Sequence, residues 1–572
     1  MLLLDELAAR EPGAQIPVRL VPQVLEETAR AFPGRIAVDF LGRRLDYRTL
    51  ATLVDRAARG LQDLGLTPGE RVGLCLPNSP YFVIFYFAVM KAGGIVVNYN
   101  PLYSEPELAT QVTDSGTTMM VVPDVAAIHD KVVAVAARTE LRRLILCPLA
   151  DVMPWVKGLL FRLLKRRELV QSGSNALHVP FARLIANAGQ PHAVAADPHD
   201  VALLQYTGGT TGIPKGAALT HANLTANTAQ EILVIGGAEV REEGVRVLGV
   251  LPLFHVFALT SVLNFAVATA AAMILLPRYE MKSLLRTIRR TRPTMFPAVP
   301  TLYNAISSAV EGGSRRQARA MRSIRTCVSG GAPLPAEVKQ RFEALTGCHV
   351  VEGYGLSEAS PVLTCNPIGT GMPGSGGKAG SAGLPLDGTV IEIRDLEDPT
   401  RVLGVGERGE VCARGPQVMQ GYWHRPEDTA AIMVDGALRT GDVGYLDADG
   451  YLFLVDRIKD LILCSGYNVY PRTIEEALYT HPGVLEATVI GVPDAHRGEA
   501  PKAFVVLRPD AAATVAELRA FLSPLLSRIE LPREIEIRDA LPRTMIGKLS
   551  KKELVAEERG RREAGGSTAR AA

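Results

Sequence analysis

Residues 247–277 read VLGVLPLFHVFALTSVLNFAVATAAAMILLP, without one Asp, Glu, Lys or Arg. A run of that length has two homes: a bilayer, which takes about 20 apolar residues, or the buried middle of a large core. Pro252 and the polar set His255, Thr260, Ser261, Asn264 and Thr269 interrupt it, and alanines dominate its second half. The run therefore reads as strand, loop and helix inside an α/β core. Residues 81–97 are similar, but Lys91 and the Gly93–Gly94 break divide them into helix, turn and strand. A chain of 572 residues with 47% hydrophobic and 21% charged residues has the material for several such cores and is not largely disordered.

Charge and cysteine usage narrow the class. Lys and Arg (62) nearly balance Asp and Glu (60), so no global field recruits nucleic acid. Seven cysteines are scattered without a CxxC pair, which argues against a disulfide framework or structural zinc and for a reducing, cytoplasmic setting. The start, MLLLDELAAREPG, lacks the basic region of a signal peptide.

Along residues 1–200, short β-rich runs (71–76, 94–98, 118–122, 143–146) alternate with helical stretches such as 48–64, the pattern of parallel α/β layers. Residues 200–365 repeat it. A Gly-rich stretch within 366–388 leads into short alternating strands, a β-rich subdomain reaching about residue 453. A third unit begins near Arg457, with helices at 472–480 and 515–522 and strands at 487–492, 503–507 and 534–537. The tail 557–572 reads as disordered. Residues 152–170 (VMPWVKGLLFRLLKRRELV) place apolar side chains at helical spacing with basic residues opposite or terminal. Such a helix packs either on its own domain or in a lipid headgroup layer, and periodicity does not choose between them.

Residues 206–216 (YTGGTTGIPKG) follow an apolar strand at 201–204. Glycines let amides approach phosphate oxygens, hydroxyls add donors and a lysine adds charge. The spacing is not GxxxxGK[ST], because Ile213 and Pro214 separate Gly212 from Lys215. The plain alternative is a flexible surface turn, but four glycines, three threonines, a proline and a lysine in eleven residues argue against chance.

This loop resembles the phosphate-binding loop of the adenylate-forming superfamily: acyl- and aryl-CoA ligases, firefly luciferase and peptide-synthetase adenylation domains. Five further elements resemble that family in order: SGGAPL at 329–334, EGYGLSE at 352–358, TGD at 440–442, DRIKD with GYNVYP at 456–471, and PRTMIGK at 542–548. The resemblance spans about residues 20–555 and is nearest to bacterial long-chain fatty acid–CoA ligases. It implies an α/β multidomain protein: a large N-terminal domain (1–456) of two α/β subdomains plus a β-rich subdomain, a hinge (457–459) and a small mobile α+β C-terminal domain (460–556).

It also implies a chemistry and the residues for it. ATP adenylates a carboxylate with loss of pyrophosphate, and the thiol of coenzyme A then displaces AMP. Thr207, Gly208, Gly209, Thr210, Thr211 and Lys215 would cradle the phosphates, and Glu358 with Thr207 would hold Mg²⁺, a hard cation. Gly330, Gly331, Ala332, Glu352, Gly353, Tyr354 and Gly355 would line the adenine site. Ser357, where the family usually has threonine, would contact the α-phosphate. Asp442 would bind the ribose with help from Arg457, and Lys548 would bridge carboxylate and α-phosphate. Lys459 would be the hinge, and Gly466 would let the pantetheine arm of CoA pass. Outside this series, Asp442 reads as a turn residue and Lys548 as a solvated lysine.

The segment 253–259 (LFHVFAL) resembles that flanking the acyl entrance of fatty acyl-CoA ligases, with His255 lining the site; a satisfied core histidine is the alternative. No acid in the apolar run after His255 could meet a substrate ammonium, which disfavours amino acids. The expected substrates are a long-chain fatty acid, ATP and CoA. A medium-chain or aryl acid, a fatty acyl-AMP ligase loading a carrier protein, and a silent acyl-binding scaffold are the alternatives. Peripheral contact with the inner membrane surface through 152–170 and a homodimer stand as open expectations.

Overall fold

Strands rich in Val, Ile, Leu and Met, each followed by a helix, pair in parallel through crossovers, and the chain uses that device in two sheets. The computed structural model describes residues 2–11, 13–170, 175–207, 214–236, 244–311, 315–368, 377–465, 467–494, 496–509, 511–543 and 549–569, with the backbone alone at 315–316 and 562–569. An eight-stranded sheet runs in the order Gly421–Tyr422, Lys215–Thr220, Val201–Thr207, Ile95–Asn98, Arg71–Leu74, Thr117–Pro123, Arg143–Cys147, His178–Pro180. From Val201–Thr207 to the last strand the pairing is parallel, whereas Lys215–Thr220 folds back antiparallel. A nine-stranded sheet runs Leu384–Pro385, Val362–Cys365, His349–Gly355, Thr326–Ser329, Met295–Ala298, Arg246–Gly249, Ala272–Leu275, Ile36–Phe40, Arg43–Asp46.

The sheets interleave in sequence. The hairpin Ile36–Phe40/Arg43–Asp46 completes the second sheet, and Val201–Thr207 with Lys215–Thr220 completes the first. The division of the chain near residue 200 therefore does not follow sheet membership, because a strand joins whichever sheet offers it a free edge, here that of Ala272–Leu275, which takes Ile36–Phe40 in parallel. One contiguous core serves both sheets. The helix Pro80–Lys91 lies in it, buried from Pro80 to Met90, and accordingly has no polar face.

The uncharged run lies in the same core. It forms the strand Arg246–Gly249, the turns Val256–Ala258, Leu259–Asn264 (π-helical) and Phe265–Ala268, and the strand Ala272–Leu275. No helix among the described residues is long and apolar enough to cross a membrane. All seven cysteines are free and buried.

The β-rich part is a five-stranded antiparallel sheet built on Val390–Arg394, Gly409–Arg414 and Ala437–Leu446, with Leu452–Arg457 paired to the last. The C-terminal unit is a second five-stranded sheet dominated by the pair Val484–Asp494/Gly498–Leu507, with the helices Pro471–Tyr479 and Val515–Leu522. The expectation of disorder over 557–572 is corrected for 557–569, residues 570–572 lying outside the described residues: a helix runs Lys551–Ala569. Its Glu557, Glu558 and Arg561 are fastened to Arg538, Lys502 and Glu536, charge partners that polar composition alone does not reveal.

Residues 152–170 form the helix Trp155–Leu164 followed by a short turn. Gly158 faces inward, so close that a Cβ there would lie 2.5 Å from the Ala150 carbonyl oxygen. Trp155, Val156, Leu159, Leu160, Leu163 and Leu164 all face outward, with Trp155 and Leu164 each 80% exposed. Lys157 and Arg162 border that arc on the helical wheel. An ordinary surface helix turns its apolar stripe to the core; this one turns it to the outside.

Candidate functional site

The two strands that flank the loop expected to bind phosphate form a hairpin. Val201–Thr207 and Lys215–Thr220 pair antiparallel, and Thr207 stands opposite Lys215. A hairpin that opens on Thr207 and closes on Lys215 holds the hydroxyl and the ammonium at one end of the sheet, whatever lies between. Gly208, Gly209, Thr210 and Thr211 lie outside the described residues, as do Gly466 and Lys548.

Against this hairpin packs the turn Ser357–Ala359, bringing Ser357 and Glu358 to it. Glu358 is buried, and its Oε1 accepts the Tyr422 hydroxyl at 2.7 Å. Lys215 lies 5.4 Å above the Tyr422 ring, and its Nζ is 2.5 Å from Asp428 Oδ1. Tyr422 and Asp428 were not legible in the sequence. Tyr422 reaches the hairpin because Gly421–Tyr422 adds to it as an edge strand, a pairing no local pattern announces. Asp428 reads as an ordinary acid in the first turn of the helix Pro426–Ile432.

The residues expected to line the adenine lie on a parallel strand pair. Thr326–Ser329 pairs with His349–Gly355 so that Ser329 stands opposite Glu352, which sets Gly330, Gly331 and Ala332 beside Glu352–Gly355. Gly331 has φ +81°, a turn L side chains rarely adopt. Gly355 is needed for close approach: a Cβ there would lie 1.9 Å from the Pro361 carbonyl oxygen. Gly353 pairs with Cys365 on the neighbouring strand. Glu352 accepts the Leu334 amide at 3.2 Å, and burial pushes its carboxyl up to about 7.

Asp442, expected at the ribose, is the centre of a hydrogen-bonded group. Its Oδ2 accepts the Tyr354 hydroxyl at 2.6 Å and its Oδ1 accepts Arg457 Nε at 2.8 Å. The strands Ala437–Leu446 and Leu452–Arg457 place Asp442 directly opposite Arg457. Burial and the Asp442 charge push the Tyr354 phenol far up, so it stays a donor, and Asp442 raises Arg457 further. A carboxylate has about four lone-pair sites, so two remain for a diol. Glu410, also absent from the sequence reading, steadies the turn by accepting the Gly441 amide and Arg439.

His255 is half-buried, with its ring 4.8 Å from that of Phe254. Phe257, two residues on, covers Gly330, where a Cβ would lie 3.1 Å from the ring. The His255 segment and the Gly330 turn therefore share a boundary. Lys459 is exposed on the turn Ile458–Asp460, and partial burial followed by the Arg457 charge lowers its pKa. Asp456, just before it, accepts the Arg472 amide at 2.8 Å and so ties the β-rich sheet to the helix Pro471–Tyr479.

Among the described residues, no group of three or more His, Cys, Asp or Glu could hold a metal ion. Mg²⁺ that keeps its waters and takes phosphate oxygens needs only one or two protein oxygens. Glu358, with one oxygen engaged by Tyr422, and the Thr207 hydroxyl are hard donors that fit it.

Residues 25–423 match the family described as AMP-binding enzyme, and 473–548 match the AMP-binding enzyme C-terminal domain. A long-chain-fatty-acid–CoA ligase of Bacillus subtilis (strain 168) is 40% identical, with 95% of each chain covered. One of Yersinia pestis is 37% identical, covering 97% of this chain and 98% of that one. Among solved structures, a benzoate CoA ligase from Burkholderia xenovorans LB400 superposes with a TM-score of 0.80 at 27% identity, over 94% of this chain and 100% of the other.

Proposed function

The chain belongs to the AMP-binding enzyme family, and on that premise we propose that it is an AMP-forming long-chain fatty acid–CoA ligase. ATP converts the acid to acyl-AMP and pyrophosphate, and CoA then gives acyl-CoA and AMP. The observation that carries the reading is similarity at 35–40% identity to several long-chain ligases over nearly the whole of both chains. A feruloyl-CoA synthase of Amycolatopsis sp is 35% identical, below the 40% and 37% of the two long-chain ligases named above, and the aryl reading stays second.

Each residue has a part. Thr207 to Thr211 and Lys215 hold the β- and γ-phosphates, while Tyr422 and Asp428 keep the Lys215 ammonium in place before ATP arrives. Glu358 and Thr207 would hold Mg²⁺, which neutralises charge on the triphosphate when bound. Ser357 donates to the α-phosphate, Tyr354 packs by the adenine, and Asp442 takes the ribose diol with its two remaining lone pairs. His255 lines the acyl side. Lys548 supplies the positive charge bridging carboxylate and α-phosphate; removing such a donor costs about 10²–10³-fold in rate. The hinge at 457–459 would then turn the domain 460–556, withdrawing Lys548 and bringing the Gly466 loop to the acyl-adenylate. Two half-reactions in one cleft need such a rotation.

The outward apolar face of Trp155–Leu164, bordered by Lys157 and Arg162 and followed by Lys165, Arg166 and Arg167, supports peripheral contact with an anionic membrane surface. A homodimer is compatible with this reading and is read out by sedimentation.

The test is pyrophosphate release with MgATP and a ladder of fatty acids from C6 to C18, with and without CoA. Release that needs a long chain and turns over fast only with CoA is expected. A single turnover that CoA fails to accelerate would favour an adenylate-only or carrier-loading enzyme. Release only with aryl acids would move the substrate class, and none with any acid would leave a silent scaffold.

A further inference from the structure

Beside the exposed helix lies a cavity of about 270 Å³ that the nucleotide site does not use. Its walls are apolar: Leu45 and Leu53, Ile84 of the buried helix, and Phe181 and Ile185. Arg43 and Asp151 are its charged residues, and both are exposed. The Asp151 carboxylate is taken by Arg162. Arg43 forms no ion pair among the described residues; its guanidinium donates to the backbone carbonyl oxygens of Asp151 and Met153. An apolar cavity of about 150 Å³ already stays dry and accepts an apolar guest, and small-molecule pockets begin near 300 Å³. A guanidinium without a carboxylate partner matches the planar fork of a carboxylate or the oxygens of a phosphate.

We propose that this cavity holds the acyl chain of one anionic amphiphile with its headgroup on Arg43, a holding site separate from the place where the acid is activated. The proposal rests on the reading of the substrate as a long-chain acid. Its position supports it from two sides. The turn that Arg43 grips, Asp151 to Met153, leads directly into the helix Trp155–Leu164, so an amphiphile leaving a bilayer under that helix meets the cavity next. On the inner side, Pro80 and Tyr81 close the wall, and Asn78 just before them binds the backbone of Gly249, Leu251 and Leu253, the loop that leads to His255. A chain held here waits on the outer side of that loop. No bond is made or broken at this site.

A free fatty acid and the tail of an anionic phospholipid share the required chemistry. The experiment is equilibrium dialysis of radiolabelled palmitate against the full chain, with the activation site filled by a palmitoyl sulfamoyl-adenosine analogue. About one palmitate per chain is expected to remain bound. Ala182→Trp, which fills the cavity from an exposed wall position, abolishes that binding, and Arg43→Gln weakens it at least about tenfold. Pyrophosphate release at saturating palmitate stays at the wild-type rate in both. Competition by lysophosphatidylglycerol in place of unlabelled palmitate assigns the site to lipid. Loss of all palmitate binding once the analogue is bound, or wild-type binding in both variants, overturns the proposal. If the analogue itself does not bind, the activation reading falls, and the cavity is judged by whether Ala182→Trp removes one bound palmitate.

Discussion

Replacing Asp442 by Asn tests the proposed ribose site most directly. The carboxylate is 6% exposed and each oxygen already has one donor, from Tyr354 and Arg457. An amide offers one oxygen and one NH₂. Arg457 cannot accept, so the oxygen must stay towards it and the NH₂ must turn to Tyr354, leaving the diol one neutral acceptor and one N–H donor. Bonds to a charged acceptor contribute about 1.5–3 kcal/mol against about 0.5–1.5 for neutral ones, so two ribose bonds lose about 2–3 kcal/mol together. That is about 30–200-fold in kcat/KM for ATP. Folding suffers less, because Arg457 is half exposed and its pair contributes at most about 1 kcal/mol. The assay is pyrophosphate release with ATP titrated at saturating acid and CoA, alongside thermal unfolding. A rise mainly in KM marks lost ground-state binding. A kcat/KM within about threefold of wild type at unchanged Tm would refute the assignment of Asp442 to the ribose.

Three other outcomes follow from single contacts. Glu231 is buried against Ser261, and burial pushes its carboxyl up to about 8 from 4.5; the native state holds a proton the unfolded chain releases, so its stabilisation is full below pH 4.5 and drains as pH rises to about 8. Glu231→Gln should therefore gain at least about 2 kcal/mol over wild type by urea unfolding at pH 9 and little at pH 5, and an equal gap at both would count against a buried neutral acid. Gly355→Ala puts a methyl 1.9 Å from the Pro361 carbonyl, both on backbone, and should cost about 4 kcal/mol or more with loss of pyrophosphate release; a Tm near wild type would show that the hairpin yields. Trp155, Leu160 and Leu164 replaced together by Ser should abolish flotation with phosphatidylglycerol vesicles while leaving Tm unchanged, since all three side chains point away from the core; retained flotation would place the membrane contact elsewhere.

Much of the proposed site was legible because its chemistry is local. Thr207 and Lys215, Gly331, Tyr354, Glu358 and Asp442 lie in short motifs, and each motif becomes one turn or strand end. Tyr422 and Asp428 were not legible, because they act on Lys215 and Glu358 from more than 60 residues away and nothing beside them in sequence marks the contact. Residues 152–170 show the same limit from another direction. Their periodicity specified a helix with an apolar face, but which way that face points depends on the docking of Gly158 against Ala150, a contact outside the helix itself.

By itself the amino-acid order determined most of the elements, the glycine positions where backbone must turn or pass closely, and the residue types able to meet phosphate, ribose and metal. Those follow from dihedral preference, period and donor chemistry within a few residues. The tertiary structure alone decided that the hairpin Ile36–Phe40/Arg43–Asp46 joins the second sheet and Val201–Thr207 the first, that Tyr422 backs Glu358, and that Glu557–Ala569 is helical, held by Lys502 and Arg538. Strand edges pair with any exposed edge of the right direction, and charges with any opposite charge in reach. Which edge and which charge are near is set by how the layers pack.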